Sequence, residues 1–537
     1  MKEIFKPGGL KDPFRRRVVY AARGMVATSQ PLAAQAGLEI LRMGGNAVDA
    51  AVAAAAVLTV VEPTSNGIGG DNFALVWTGG KLHAMNASGR APGSLSIEAL
   101  KERGYREIPK EGVVPVTVPG TPGGWVALNE SFGRLSLEEV MQPAIGYALG
   151  GFGVSATVAH LWHKAFEGYR ERKGEGVYKP WFDTFAPGGR PPGEGDRVVL
   201  EDHGRTLSEI ASTKGRSFYQ GALARKIAGF ITDHQGFLTL EDLRDFRVQW
   251  VNPLRVDYRG FDIWEIPPNG QGIVALMALN ILKGEVFHQE EKIATLHRQI
   301  EAMKLAFADG RKFIAEPGAM TVSAGNLLAE SYGRERRRLI GQRAKIPGAG
   351  RPPGGGTVYL ATADEAGNMV SMIQSNYTGF GSGVVIPGTG IALHNRGHNF
   401  DFDPAHPNGL AGGKRPYHTI IPGFITRDRE AVGPFGVMGG FMQPQGHLQV
   451  IMNLLDFGMD PQGALEAPRW QWLGGLDIAM ESGFSDQVLQ GLRELGHCIQ
   501  SDYDPVLMGR GQIILKQANG LYAGGTDPRA DGMVAAW

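Results

Sequence analysis

Cysteine is nearly absent: the 537 residues contain one, Cys498, in the apolar, strand-like stretch "LGHCIQ". An intrachain disulfide is therefore excluded, and a structural zinc site would have to be built without thiolates. Net charge is missing as well. Lys and Arg number 54, and so do Asp and Glu, so no overall field favours nucleic acid or anionic lipid as a partner. Short basic runs such as Arg15-Arg16-Arg17 and Arg336-Arg337-Arg338 read as solvated faces. Long apolar runs are also lacking. The longest, "AVDAAVAAAAVLTVVEP", contains Asp49 and falls short of a membrane span. The first residues carry charges but not the apolar segment of a secretory signal. The expectation is a cytoplasmic protein without a nucleic-acid or membrane partner.

Familiar catalytic signatures are scarce too. No G-x-S-x-G elbow occurs, which removes the usual serine nucleophile of an α/β-hydrolase. "GFGSG" at 379 to 383 has no strand–loop–helix context, and "AGGKRP" has a lysine without a following Ser or Thr, so neither reads as a phosphate loop. His394 and His398 in "LHNRGHNFDFD" have the look of a metal pair, but they fall in a loop with no evident third ligand. Neither a metal nor a cofactor is expected.

What is present is an ordinary globular composition, 43% hydrophobic and 20% charged, with 78 glycines and 32 prolines scattered through short loops. No linker marks a domain boundary. Residues 31 to 61 hold two alanine-rich helix patterns broken at Gly44-Gly45, and "NFALVWTGGKLHAMNA" alternates as a hairpin. Several helices follow between 135 and 245. A strand in "RGFDIWEIPPNGQG" then leads to the helix "GIVALMALNIL" and another at 291 to 312. After residue 357 the texture becomes strand, turn, strand: a hairpin around Gly367-Asn368, then a strand pair over "YHTIIPGFITRDREAVGPFGVMGG". Helices follow in "QGHLQVIMNLLDFG", at 460 to 467, and around "SDQVLQGLREL". This order predicts an α+β protein with sheets sandwiched between helical layers.

At the junction stands "RPPGGGTVYL", three glycines running into Thr357. Such a sequence can be a turn followed by a strand. It can also be a self-cleavage site, between Gly356 and Thr357, that leaves a threonine whose own α-amine activates its hydroxyl.

The surrounding motifs bear on that choice. "GGNAVDAAVAAA", "EPTSNGIGGDNF", "SGRAPG", "VPGTPGGW", "GGKRPYHTIIP", "GVMGGFMQPQGHLQV" and "EAPRW" occur in this order. With Thr357 at the junction, the chain resembles the γ-glutamyltranspeptidases, the threonine branch of the N-terminal nucleophile hydrolases, over nearly its whole length. The resemblance implies a four-layer αββα sandwich. It also implies cleavage into a large subunit, 1 to 356, and a small subunit, 357 to 537, intertwined in one catalytic unit, and it leaves room for a homo-oligomer of that processed pair.

By the same resemblance Thr357 is the nucleophile and Ser375 a hydroxyl bonded to it. Gly439 and Gly440 supply the oxyanion hole, and Arg90 holds the substrate's α-carboxylate. The amine-binding end departs from the family. His398 stands where a carboxylate receives the α-amine, His418 and Thr419 replace paired serines, and Tyr377, next to Asn376, replaces an asparagine. The implied substrate is a small amide bearing a carboxylate. It is a γ-glutamyl compound such as glutathione by default, and an oxamate or glutaryl amide as the alternative that needs Arg90 but no amine site. A non-catalytic binding protein on the same fold is the remaining alternative.

Overall fold

The computed structural model describes residues 4–5, 15–288, 290, 292–347, 358–501 and 503–537. Gly356 and Thr357, and hence the expected cleavage bond, lie outside the described residues.

Two seven-stranded sheets form the centre. The first is ordered Val19–Ala21, Tyr522–Thr526, Arg510–Lys516, Glu430–Met438, Gly423–Arg427, Phe261–Glu265 and Leu254–Tyr258. The second is ordered Met533–Ala536, Met25–Thr28, Val358–Ala363, Met369–Ser375, Asp71–Thr78, Lys81–Ala87 and Gln249–Val251. Each sheet takes strands from both sides of residue 357. A cut at that point would therefore leave two fragments held together by interstrand hydrogen bonds. The sheets face each other where Val358–Ala363 packs against Glu430–Met438 and Arg510–Lys516.

Helices cover the outer faces. Pro31–Arg42, Ala47–Val61, Leu137–Gly150 and Glu201–Thr213 share one core with the second sheet. Gly272–Leu282, Lys292–Phe313 and Met442–Leu455 share another with the first. The result is the four-layer αββα sandwich. Ala47–Val61 is buried along its entire length, as its many alanines allow. Asp49 belongs in that apolar run because it closes a capping box with Asn46 and accepts the backbone N–H of Arg134 at 2.8 Å. Two of the glycine motifs are crossing points. A Cβ on Gly89 would stand 1.6 Å from the carbonyl oxygen of Val118, and one on Gly120 would stand 1.8 Å from that of Ala87, so only glycine lets these backbones meet.

Two expectations are corrected. The strand expected from Tyr417 starts only at Gly423. Residues 417 to 421 are held instead by scattered bonds: Asn408 Oδ1, the Asn269 carbonyl and Gln443 Oε1 accept the N–H groups of Tyr417, His418 and Ile421. The run at 336 to 338 is not a free solvated face. Arg336 pairs with Asp309 at 3.0 Å, and Arg337 Nε donates to the Ile281 carbonyl, one of those left open at the end of Gly272–Leu282. Arg15-Arg16-Arg17, by contrast, is exposed as expected, with Arg15 paired to Glu466 at 2.6 Å. Cys498 does sit on a strand, Cys498–Gln500, but is exposed.

One buried charge network ties the C-terminal strands down. Asp527 accepts from Arg469 Nη2 at 2.5 Å, Arg529 Nη1 at 3.0 Å and the Gly511 N–H at 2.9 Å. Burial alone would raise its pKa, but Arg469 and Arg529 outweigh that and hold it below the usual carboxylate value. A depressed native pKa means the stabilisation is present above the unfolded-state pKa and is lost as pH falls through the native one. Asp527→Asn is therefore expected to lower stability at pH 7 by about 3–5 kcal/mol, because the buried Arg469 guanidinium loses its carboxylate while Arg529 keeps Glu481. A thermal scan at pH 7 checks this; a Tm equal to that of the unmodified protein would refute it.

Candidate active site

The hairpin Val358–Ala363/Met369–Ser375 turns at Gly367, which has φ +82°. Val358, the first described residue after the junction, pairs with Gln374, so the start of this strand lies beside Ser375. Ser375 Oγ accepts the Tyr377 N–H at 2.8 Å. Tyr377 is fully buried with φ +75°, a left-handed conformation that costs an aromatic residue about 1–3 kcal/mol. Among the described residues its hydroxyl has no hydrogen-bond partner, and neither has the side-chain amide of Asn376.

The glycine pair leaves the end of Glu430–Met438 and leads into Met442–Leu455. Gly439 has φ +134° and Gly440 φ +58°, so both occupy backbone conformations that favour glycine. No acceptor among the described residues takes either of their N–H groups. Gln271 joins this turn to the next segment: its Nε2 donates to the Gly440 carbonyl at 2.8 Å and to the Thr419 carbonyl at 2.6 Å. Thr419 Oγ1 in turn accepts from Arg396 Nη1 at 2.7 Å. The Arg396 guanidinium lies 4.6 Å from the centre of the Tyr377 ring. Ser375, Tyr377, Thr419 and Gly440 are thus connected through Gln271 and Arg396.

His418 joins from below. Its Nδ1 accepts the Ile420 N–H at 3.3 Å, which leaves the proton on Nε2, and Nε2 donates to Asp71 Oδ2 at 2.9 Å. His394 is fixed in the same way, its Nδ1 accepting the Arg396 N–H at 3.2 Å. Both rings are held neutral, first by burial and then by the charge of Arg396. His418 is lowered well below the usual imidazole value and His394 to about 3. Burial pushes Asp71 up to about 7 against the pull of Arg396, and lowers Arg396 to about 10, so the arginine stays charged at neutral pH.

The remaining two expected residues lie at the margin. Arg90 is part-exposed, with Nη1 2.7 Å from Glu316 Oε1 and 2.6 Å from the Gly413 carbonyl; Glu316 also pairs with Arg415 at 3.2 Å. His398 engages the Ile108 carbonyl through Nδ1 at 2.8 Å, its ring 6.5 Å from that of Tyr377. His394 and His398 therefore use their Nδ1 atoms on different backbone partners.

Sequence reasoning missed Arg396, Asp71 and Gln271. Asp71 opens a strand directly after Gly69-Gly70, and Arg396 stands between the two histidines of "LHNRGHN". A cation in an otherwise uncharged stretch was the available signal.

The family model described as gamma-glutamyltranspeptidase matches residues 33–537. The glutathione hydrolase-like YwrD proenzyme of Bacillus subtilis is 38% identical over 96% of this chain and 98% of its own. The oxamate amidohydrolase proenzyme of Klebsiella pneumoniae is 35% identical over 96% and 99%. Among solved structures, cephalosporin acylase from Bacillus halodurans superposes with a TM-score of 0.95 at 57% identity, covering 99% of each chain.

Proposed function

The chain belongs to the γ-glutamyltranspeptidase family, and on that premise we propose that it is a self-processing amide hydrolase with Thr357 as nucleophile. Maturation begins when the Thr357 hydroxyl oxygen attacks the Gly356 carbonyl carbon. The C–N bond breaks, the acyl group moves to oxygen, and water hydrolyses the ester to give a carboxylate on residues 1–356 and a free α-amine on 357–537. In turnover the same hydroxyl passes its proton to that amine and attacks the substrate amide. The N–H groups of Gly439 and Gly440 receive the resulting oxyanion. The leaving amine departs with the proton, and water, activated by the α-amine, releases the acid. An amine taking the place of water gives transfer.

The observation that carries this reading is the glycine turn with its unengaged N–H groups, connected through Gln271, Thr419, Arg396 and Tyr377 to Ser375 beside the start of the Val358 strand. The substrate is a small amide with a carboxylate on its acyl side. Freshly purified protein is expected to run as two fragments, 1–356 and 357–537, by denaturing gel and intact mass, and to hydrolyse such amides. A chain that stays whole while hydrolysing them would refute the mechanism.

A glutaryl- or oxamyl-type acyl group is favoured over γ-glutamyl by one further observation. The position that carries a carboxylate in the resembling family is His398, whose Nδ1 is engaged by a backbone carbonyl. The nearby carboxyl of Asp71 already takes the His418 proton. Among the described residues, an α-ammonium would find no unengaged anion at that end.

A further inference from the structure

Arg396 is a buried cation whose guanidinium is only partly bonded. It is completely buried, yet among the described residues the only hydrogen bond of its guanidinium runs from Nη1 to Thr419. Nε and Nη2 have no hydrogen-bond partner among the described residues. These two nitrogens make up one edge of the guanidinium, and that edge is the one whose two parallel N–H groups fit the two oxygens of a carboxylate. Asp71 does not fill it, since Oδ2 stands 3.9 Å from Nε, beyond hydrogen-bond reach, and is taken by His418. A guanidinium edge without partners in a protein interior is costly, and such groups are almost always completed by something.

The surroundings select what completes it. The two histidines within reach of Asp71 are neutral, so the nearest formal charges are the guanidinium itself, the Asp71 carboxyl, and Arg415 and Glu316 beyond it. The Tyr377 hydroxyl, on a ring stacked beneath the guanidinium, is a second unengaged donor. By contrast Arg90, the clamp expected from the sequence, already has its charge matched by Glu316.

We propose that the Nε–Nη2 edge of Arg396, with the Tyr377 hydroxyl, receives the carboxylate of the acyl group, and that the enzyme's substrates are monoamides of short dicarboxylic acids without an α-amine. An ammonium at this position would meet like charge, so the same arginine rejects γ-glutamyl compounds. The proposal rests on the amide-hydrolase reading above and names the substrate class of that site.

The test uses self-processed protein and five p-nitroanilides: oxalyl, succinyl, glutaryl, pentanoyl and γ-glutamyl. Pentanoyl has the length of glutaryl with a methyl group in place of the carboxylate. The best dicarboxylic substrate is expected to exceed pentanoyl at least a hundredfold and γ-glutamyl at least tenfold in kcat/KM. In Arg396→Gln the first ratio is expected to fall at least thirtyfold, mainly through KM, with Arg396→Lys between. A ratio taken within one preparation does not depend on the fraction that folds. An unchanged ratio in Arg396→Gln, or a preference of the unmodified enzyme for pentanoyl or γ-glutamyl, overturns the proposal while leaving the hydrolase reading intact. Turnover of none of the five overturns the hydrolase reading instead. The anion site is then decided by whether glutarate, succinate or oxamate raises the Tm of the unmodified protein and not that of Arg396→Gln.

Discussion

Thr357→Ala is expected to yield one uncut chain without amidase activity, with kcat/KM reduced by more than about 10⁴-fold, the scale on which loss of a nucleophile acts. Both losses have one cause. On the proposed mechanism the hydroxyl is needed first to attack the Gly356 carbonyl and then to attack substrate, and without the first step the α-amine that serves as base is never released. That amine has an ordinary pKa of about 7.7–8.0, close to what a base needs near neutral pH. Thr357→Ser keeps the hydroxyl and loses the methyl that restricts its rotamer, so it is expected to retain slower cleavage and reduced turnover. The Ala variant also separates the nucleophile from the fold, because both sheets are built from strands that do not include residue 357. Its Tm is expected to match that of unprocessed Thr357→Ser within a few degrees. Turnover by a homogeneous preparation of Thr357→Ala would place the nucleophile elsewhere.

How far the sequence foretold this arrangement depends on the kind of residue. Regular elements were legible because their patterns are local. The breaks at Gly44 and Gly367, both with positive φ, fall where two helices and two strands change direction, and the helix Gly272–Leu282 coincides with its apolar run. The segment at 417 to 421 was misread as strand because its apolar alternation is genuine, but its N–H groups are claimed by side chains and loops distant in sequence. The candidate site divides along the same line. Ser375, Tyr377, Thr419 and the glycine pair were named through motif resemblance, and a chain of contacts runs between them. The residues that connect them, Gln271 and Arg396, carry no motif, since their significance lies in hydrogen bonds spanning 23 to 169 positions of sequence. Arg90 shows the opposite case. Its motif was legible, but the Glu316 that faces it lies more than two hundred residues away.

Gly439→Ala is expected to lower kcat by about 10²–10³ while changing KM by less than tenfold, which is the signature of a donor lost only in the transition state. The reasoning starts from the backbone. At φ +134° a Cβ is strained wherever it points, and here it would also lie 3.1 Å from Gly509 Cα and 3.3 Å from Met442 Cβ. Gly509, itself at φ +79°, cannot yield readily, because Arg469 Nη1 holds its carbonyl at 2.7 Å. The turn must therefore rotate at 439, moving the N–H groups of Gly439 and Gly440 relative to the strand on which Ser375 stands. On the proposed mechanism ground-state binding rests on the acyl group's far end and is little affected, whereas the oxyanion that forms on attack loses its aligned donors. Because maturation passes through the same tetrahedral geometry, self-cleavage should slow in parallel, visible as residual uncut chain in a freshly made preparation. If Gly439→Ala cleaved itself and turned over substrate at the unmodified rate, the oxyanion would have to be received by other groups, and the glycine turn would be structural.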